Sequence, residues 1–225
     1  MVGAIETNKS AVTLSQTTPI ARLVTEYEIV VVPADSPFKS VADLVAAWKH
    51  DPSKVSIAGG SAGGTDHILA GLMAKAAGID PKKVTYIPHS GGAEAATAVL
   101  AGKVSAAISG VGEFTSHIES GKVRALAVSS DQQLPGVNAP TLKEGGLDVV
   151  LQNWRGFVAP SNLSDADKAK LTDLVTKMHG SQSWKDAIAK KGWADSFATG
   201  KEFEDFMVAE QTRVKGIIAD MGLGS

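Results

Sequence analysis

One stretch of this chain carries more chemical possibility than any other. Gly59-Gly60-Ser61-Ala62-Gly63 matches G-x-S-x-G, the turn that presents a serine nucleophile in α/β-hydrolases. A strand-like Val55–Ala58 precedes it and a helical pattern follows, as such an elbow needs. The placement is less apt. Gly63-Gly64-Thr65 intervenes before the helix, so Ser61 falls in mid-loop, and His89, His117 and His179 stand in no motif that would supply a base. The same glycines do not complete a phosphate loop, since the Lys of G-x-x-x-x-G-K-[ST] is missing and G-x-G-x-x-G is not matched. A more general chemistry remains. Consecutive glycines let backbone N–H groups converge, and a helix N-terminus adds about half a positive charge. Gly60, Ser61, Ala62, Gly63, Gly64 and Thr65 could together hold an oxyanion such as a carboxylate. The plain alternative is a tight strand-to-helix turn with no ligand.

Two further segments repeat the theme. His89-Ser90-Gly91-Gly92 follows Val84–Pro88, and Gly110-Val111-Gly112 follows Val104–Ser109. Ser90, Gly91, Gly92, Ser109 and Gly110 therefore join the candidate binding set. Trp154-Arg155 offers an aromatic beside a cation on an extended segment, which suits a cleft wall or a carboxylate clamp. Its plain reading is a buried Trp with a solvated Arg. Asp66 and Glu113 read as first-turn acids that complement helix dipoles. His67 could face the loop or solvent, and a structural role is the simpler one for it. The five histidines show no H-x₃₋₄-H spacing and there is no cysteine, which argues against a zinc site and excludes disulfides and thiolate chemistry. No motif calls for a cofactor.

The elements that must position these loops are legible in outline. Glu28–Val32 reads as a buried strand stopped by Pro33. Ser40 caps a helix whose stripe is Val41, Leu44, Val45 and Trp48. Thr65 is expected to cap the helix running to about Ala77, and Ala93–Ala101 and Glu113–Ser120 are expected helices. Val123–Ser129 is another strand. Strand, loop and helix thus recur three times, the pattern of a parallel sheet with helices on its faces. Ligands of such sheets sit at the carboxyl ends of the strands, where these glycine loops lie. Beyond Asp131 the style changes to turns, a strand-like Gln152–Val158, and helices over Ser164–Met178, Ser183–Lys190 and Lys201–Met221.

Composition bounds the rest. The 225 residues carry 22 Lys+Arg against 24 Asp+Glu, a net charge of −2, which argues against nucleic acid as a partner. Hydrophobic content of 44% is that of a folded chain. No apolar run approaches the roughly 20 residues of a membrane span, and Met1–Ser10 does not look like a signal peptide.

Several segments, taken in order, resemble one family. They are Thr18-Pro19-Ile20-Ala21-Arg22-Leu23, Val30 through Pro37, Ala58–Thr65, Gly121 through Ser129, Leu134-Pro135-Gly136-Val137, Pro140-Thr141-Leu142, and Trp154 through Pro160. Together they look like the substrate-binding proteins of tripartite tricarboxylate transporters, the TctC or Bug family, over nearly the whole chain. The resemblance implies an α/β periplasmic-binding-protein (Venus-flytrap) fold of two lobes joined by crossing strands. It implies a periplasmic location, a di- or tricarboxylate ligand held by backbone amides, and membrane transporter components as partners. On that reading residues 26–152 are the complete lobe, and 1–25 with 153–225 are an incomplete second lobe. The signal peptide and most of the N-terminal half of that lobe would be absent. The match departs at ligand positions. The family's usual His after the loop threonine is Ile68, its Tyr-Lys-Gly is His89-Ser90-Gly91, and its Asp-Asn is Ser109-Gly110. The ligand's identity does not carry over. The rival classes are an effector-sensing domain of a transcriptional regulator, which needs a helix-turn-helix not visible here, and a hydrolase using Ser61. No nucleophile–base pair points to an enzyme.

Overall fold

A computed structural model describes residues 2–224. Its organising element is one long strand, β1 (Thr17–Pro33). The C-terminal half of β1 lies in a sheet of order β3-β2-β4-β1-β5, built with β2 (Ser56–Gly59), β3 (Thr85–Pro88), β4 (Ala106–Gly110) and β5 (Val123–Val128). The strands β3, β2 and β4 are parallel, but β1 runs antiparallel to both β4 and β5. The sheet is therefore mixed rather than purely parallel. Ile29 and Val31 pack to one face and Val30 and Val32 to the other, and all four are fully buried. A strand covered on both faces reads as a continuous apolar run, which is why this part of β1 was legible.

The N-terminal half of β1 was not expected as strand. It lies between β6 (Gln152–Pro160) and β7 (Ala194–Thr199), antiparallel to both. Register shifts near Pro19/Ala21 and Arg22/Val24 break its alternation and hide the period of two. Partners change in mid-strand: Tyr27 faces Gln152 of β6, and Glu28 faces Gly110 of β4.

Helices cover the sheet. On one face lie α2 (Val41–His50) and α3 (Thr65–Ala76), with Leu44, Trp48, Leu69 and Met73 in one core with Val30 and Val32. On the other lie α4 (Gly92–Leu100) and α5 (Val111–Glu119), with Val99 and Phe114 against Ile29 and Val31. Ser40 accepts the Asp43 amide, as the N-cap the sequence suggested, and Asp43 also reaches back to the Ser40 amide, which makes the cap reciprocal. Further along, α6 (Asp165–Gly180) and α7 (Gln182–Lys191) pack beside Ile20 and Val24 of β1. The last helix, α8 (Gly200–Asp220), buries Phe203 and Met207 near β6 and Val214 and Ile218 in the core of α2 and α3. Among the described residues no helix is long and apolar enough to cross a membrane.

Two local expectations are corrected, and one strand is new. Gly64, not Thr65, is the N-cap of α3, and Thr65 is its first residue. Gly110-Val111-Gly112 is no loop, because α5 begins at Val111 directly after β4. Strand β7 carries no β-branched run and gave no strand signal.

Candidate binding cleft

Because β2, β3 and β4 are parallel, their carboxyl ends fall on one edge. Gly59 of β2 is level with Pro88 of β3, and Ala58 with Ala107 of β4. The glycine segments after these strands therefore meet, and Trp154-Arg155 on β6 faces them across two adjoining cavities. The first, about 640 Å³, is lined by Gly60, Ser61, Gly63, Gly64, Thr65, Ser90, Gly91, Gly92, Trp154 and Arg155, among others. The second, about 590 Å³, is lined by Ser109, Gly110, Glu26, Glu113 and Trp193. Both share Asp66, Gly92, Asn153 and Arg155. Ala62 lines neither cavity and stands apart from the other candidates.

The glycines permit this convergence. Gly63 adopts φ +73°, in the left-handed region that a side chain rarely occupies. A Cβ there would also collide with Thr7 of α1 (Val2–Thr7), which lies on the loop. Gly92 begins α4 so close to β4 and α5 that a Cβ would collide with Ser109 and come within 2.7 Å of Glu113 Cγ.

Some loop amides are already committed. The Gly60 N–H donates to Asp66 Oδ2 at 2.7 Å, the Gly63 N–H to His67 Nδ1 at 3.1 Å, and the Gly64 N–H to the Ser61 carbonyl at 2.9 Å. Ser90 N–H donates to Glu94 Oε2 at 3.0 Å. Among the described residues the Ser61 and Thr65 amides have no protein acceptor, and both residues line the first cavity at the N-terminus of α3. These two uncommitted donors belong to residues of the cavity lining, Thr65 at the first position of α3 and Ser61 in the loop just before it.

Asp66 does more than complement a dipole. It is 9% exposed, holds the loop through Gly60, and lies close to Glu28. Glu28 is wholly buried in β1, and neither carboxyl oxygen has a hydrogen-bond partner at normal geometry. Asn153 and Asp66 stand beside it. Burial, then the negative charges of Asp66 and Glu26, push its carboxyl well above the usual range. Burial also raises Asp66, opposed by the Gly60 amide. The Tyr86 hydroxyl, raised by burial and then by Asp66 and Glu28, donates to the Gly60 carbonyl at 2.8 Å. His67 is buried and stacks on Tyr86, and burial lowers it to about 4, so it is neutral. Its role is structural, tied to the loop rather than turned to solvent.

Trp154 and Arg155 divide their tasks. The Trp154 ring packs edge-on against Phe203 and Phe206, at centroid distances of 5.9 and 5.3 Å. Arg155 is ion-paired with Glu26, which also accepts from Trp193 Nε1 at 3.0 Å and Asn153 Nδ2 at 3.3 Å. Sequence reasoning missed Glu26, Glu28, Asn153 and Tyr86. None sits in a motif, and each reaches the cleft only through long-range strand pairing. Among the described residues no group of three or more His, Asp or Glu side chains could hold a metal ion.

Comparison with known proteins agrees with this architecture. The TctC model, described as the tripartite tricarboxylate transporter family receptor, matches residues 8–223. A curated relative, the UPF0065 protein in the gbd 5' region of Cupriavidus necator, is 28% identical over 196 residues, covering 86% of this chain and 58% of the relative. This chain thus spans little more than half of that protein's length. The crystal structure of a TctC solute binding protein from Polaromonas, with no ligand, superposes with a TM-score of 0.77 at 28% identity, over 97% of this chain and 74% of that one. The R. palustris protein Rpa4515, solved with adipate, gives a TM-score of 0.80 at 22% identity over 92% of this chain and 69% of that one, a likeness of fold. The chain belongs to the tripartite tricarboxylate transporter receptor family.

Proposed function

We propose that this chain supplies a ligand-binding wall of a periplasmic solute receptor for a small di- or tricarboxylate. The receptor would deliver that solute to the membrane components of a tripartite tricarboxylate transporter. The single observation behind this reading is the pair of unclaimed Ser61 and Thr65 amides at the α3 N-terminus, opening on a cavity of about 640 Å³. Backbone donors at a helix start hold a carboxylate without a dedicated Lys or Arg. The remaining candidates, Gly60, Gly63, Gly64, Ser90, Gly91, Gly92, Ser109, Gly110, Trp154 and Arg155, shape the walls around that anchor. Rpa4515, of similar fold, was solved with the dicarboxylate adipate.

A receptor rather than an enzyme is supported by Ser61. Its hydroxyl bonds to no histidine, and the nearby His67 uses Nδ1 to accept the Gly63 amide. We also read residues 26–152 as one lobe and 1–25 with 153–225 as the other, because β1 changes partners between Tyr27 and Glu28 and β6 returns at Gln152.

The experiment is amide NMR of the 225-residue chain titrated with citrate, malate and succinate, with chloride as control. The expected result is saturable shifts of the Ser61 and Thr65 amides with a carboxylate and not with chloride. Shifts confined to surface lysines, or none at all, would reject the reading.

A further inference from the structure

We propose that Ser129 is the pin of a hinge between the lobes: it grips both segments that cross from one lobe to the other, and the chain bends just beyond its grip, at Tyr27 and Gln152. The inference rests on the reading of residues 26–152 as one lobe. It adds a positioning residue for the cleft between the two.

The grip is made of four hydrogen bonds. Ser129 follows directly after β5 and is wholly buried. Its Oγ accepts the Glu28 amide at 3.0 Å and donates to the Leu151 carbonyl at 2.6 Å. Its own amide donates to the Glu28 carbonyl and its own carbonyl accepts the Leu151 amide, each at 2.9 Å. One serine thus engages the amide and the carbonyl of both partners. A hydroxyl has one proton to donate, so donation to Leu151 and acceptance from Glu28 fix its direction. Alanine would keep the two backbone bonds and lose the two through the side chain.

The partners stand where the chain changes lobes. β1 leaves β6 after Tyr27 and joins β4 at Glu28, and β6 begins at Gln152. Ser129 therefore holds each crossing segment at the residue next to its point of crossing. Directional bonds make Glu28 and Leu151 move with β5, which leaves changes of φ and ψ to Tyr27 and Gln152. The helix α8 crosses the same boundary by other means. It buries Phe203 and Met207 on one side and Val214 and Ile218 on the other, and its ion pair with α3, Lys75–Asp220, is exposed. Packed helices slide by small shear movements, whereas a hinge concentrates rotation in a few residues. α8 permits a turn, and Ser129 sets its axis.

The cleft begins immediately beyond the pin. Asn153 donates to Glu26 at 3.3 Å, and Asn153, Trp154 and Arg155 line the first cavity opposite the glycine loop. A turn about Ser129 carries this wall toward the loop or away from it.

The test uses spin labels on the 225-residue chain, which has no cysteine of its own. Glu119→Cys on α5 with Lys185→Cys on α7 spans the lobes. Lys49→Cys on α2 with Glu119→Cys lies within one, and all three positions are exposed. Pulsed dipolar spectroscopy gives the distance distribution of each pair, and amide exchange by NMR gives the opening of single residues. Ser129→Ala is expected to broaden the interlobe distribution and leave the intralobe one unchanged. The Glu28 and Leu151 amides should exchange about tenfold faster, the scale of one lost hydrogen bond, with Val30 and Ile108 unaffected. Equal acceleration at Val30 and Ile108 would mean a general core defect and overturn the pin. A broad interlobe distribution that Ser129→Ala leaves unchanged would overturn it too, with the two-lobe reading intact. An interlobe distribution as narrow as the intralobe one in both chains would reject the two-lobe reading as well. If Ser129→Ala fails to fold, exchange in the unmodified chain decides. Glu28 and Leu151 opening together with Val30 and Ile108 supports the pin, and their opening with the amides of β6 overturns it.

Discussion

The His67 imidazole lies flat on the Tyr86 ring, with centroids 4.0 Å apart and planes 6° from parallel. Through this stack a helix residue and a strand residue jointly fix the glycine loop. His67 Nδ1 accepts from Gly63, and the Tyr86 hydroxyl donates to Gly60. The loop's shape thus depends on a neutral imidazole.

That dependence sets an acid limb of stability. The unfolded chain protonates this histidine near its ordinary 6.5, the folded chain only near 4. Stability from the neutral ring is fully present above 6.5 and is lost as pH falls from there toward 4. His67→Asn keeps an acceptor for Gly63 and loses the stack, and is expected to cost about 1–3 kcal/mol at pH 7. Its deficit against the unmodified chain should shrink as pH drops through the window. Urea denaturation at pH 4.5, 5.5 and 6.5 reads this, and a deficit independent of pH would refute it.

Glu28 acts with the opposite sign. Its folded carboxyl holds a proton well above the usual value, so its contribution is present below about 4.5 and is lost as pH rises toward the folded value. Glu28→Gln imitates the protonated form permanently. At pH 5 its melting temperature is expected to match the unmodified chain. At pH 8 it should exceed it, by an amount on the order of 3 °C. Thermal melts at the two pH values decide, and equal melting at pH 8 would show that the buried acid carries no strain.

How much of this was legible follows from the range of the interactions. The Ser40 cap, the apolar run of β1 and the first two glycine segments are local signals, written within a few residues, and each is found where the sequence pointed, whereas Gly110-Val111-Gly112 opens a helix instead of a loop. Glu28 opens the same apolar run, yet nothing beside it reveals that Asp66 folds over it from another helix. Trp154 and Arg155 were singled out as neighbours, but their roles diverge because successive strand residues face opposite ways. The first half of β1 was hidden by its register shifts. Asp66 looked like an ordinary first-turn acid, and only the Gly60 bond shows it to be the floor of the cleft.

Two adjacent glycines give a contrast that tests the closeness of the walls. Gly92→Ala places a methyl against the side chains of Ser109 on β4 and Glu113 on α5, at separations that force one of the elements or side chains to shift. It is expected to cost about 1–3 kcal/mol. Gly91 is extended, and a methyl there meets nothing within 4 Å. Gly91→Ala is expected to change stability by less than about 0.5 kcal/mol, or to raise it slightly by restricting the unfolded chain. Chemical denaturation of the pair measures both. Equal effects would mean that α4 does not approach β4 as described.

Thr65 separates stability from binding. It stands at the first position of α3 with Gly64 as the cap, and its hydroxyl caps nothing. A capping threonine replaced by alanine typically loses about 1 kcal/mol. Without that role, Thr65→Ala should leave stability within about 0.5 kcal/mol of the unmodified chain. The hydroxyl is then free to serve the cavity that Thr65 lines. If it donates to a bound carboxylate, its loss should weaken binding by roughly 1.5–3 kcal/mol, about 10- to 150-fold. Calorimetric titration and thermal melting of Thr65→Ala, each at two salt concentrations, measure the two effects separately. Reduced affinity with unchanged melting is expected. Lower melting with unchanged affinity would return Thr65 to a capping role and leave the Ser61 and Thr65 backbone amides as the anchors.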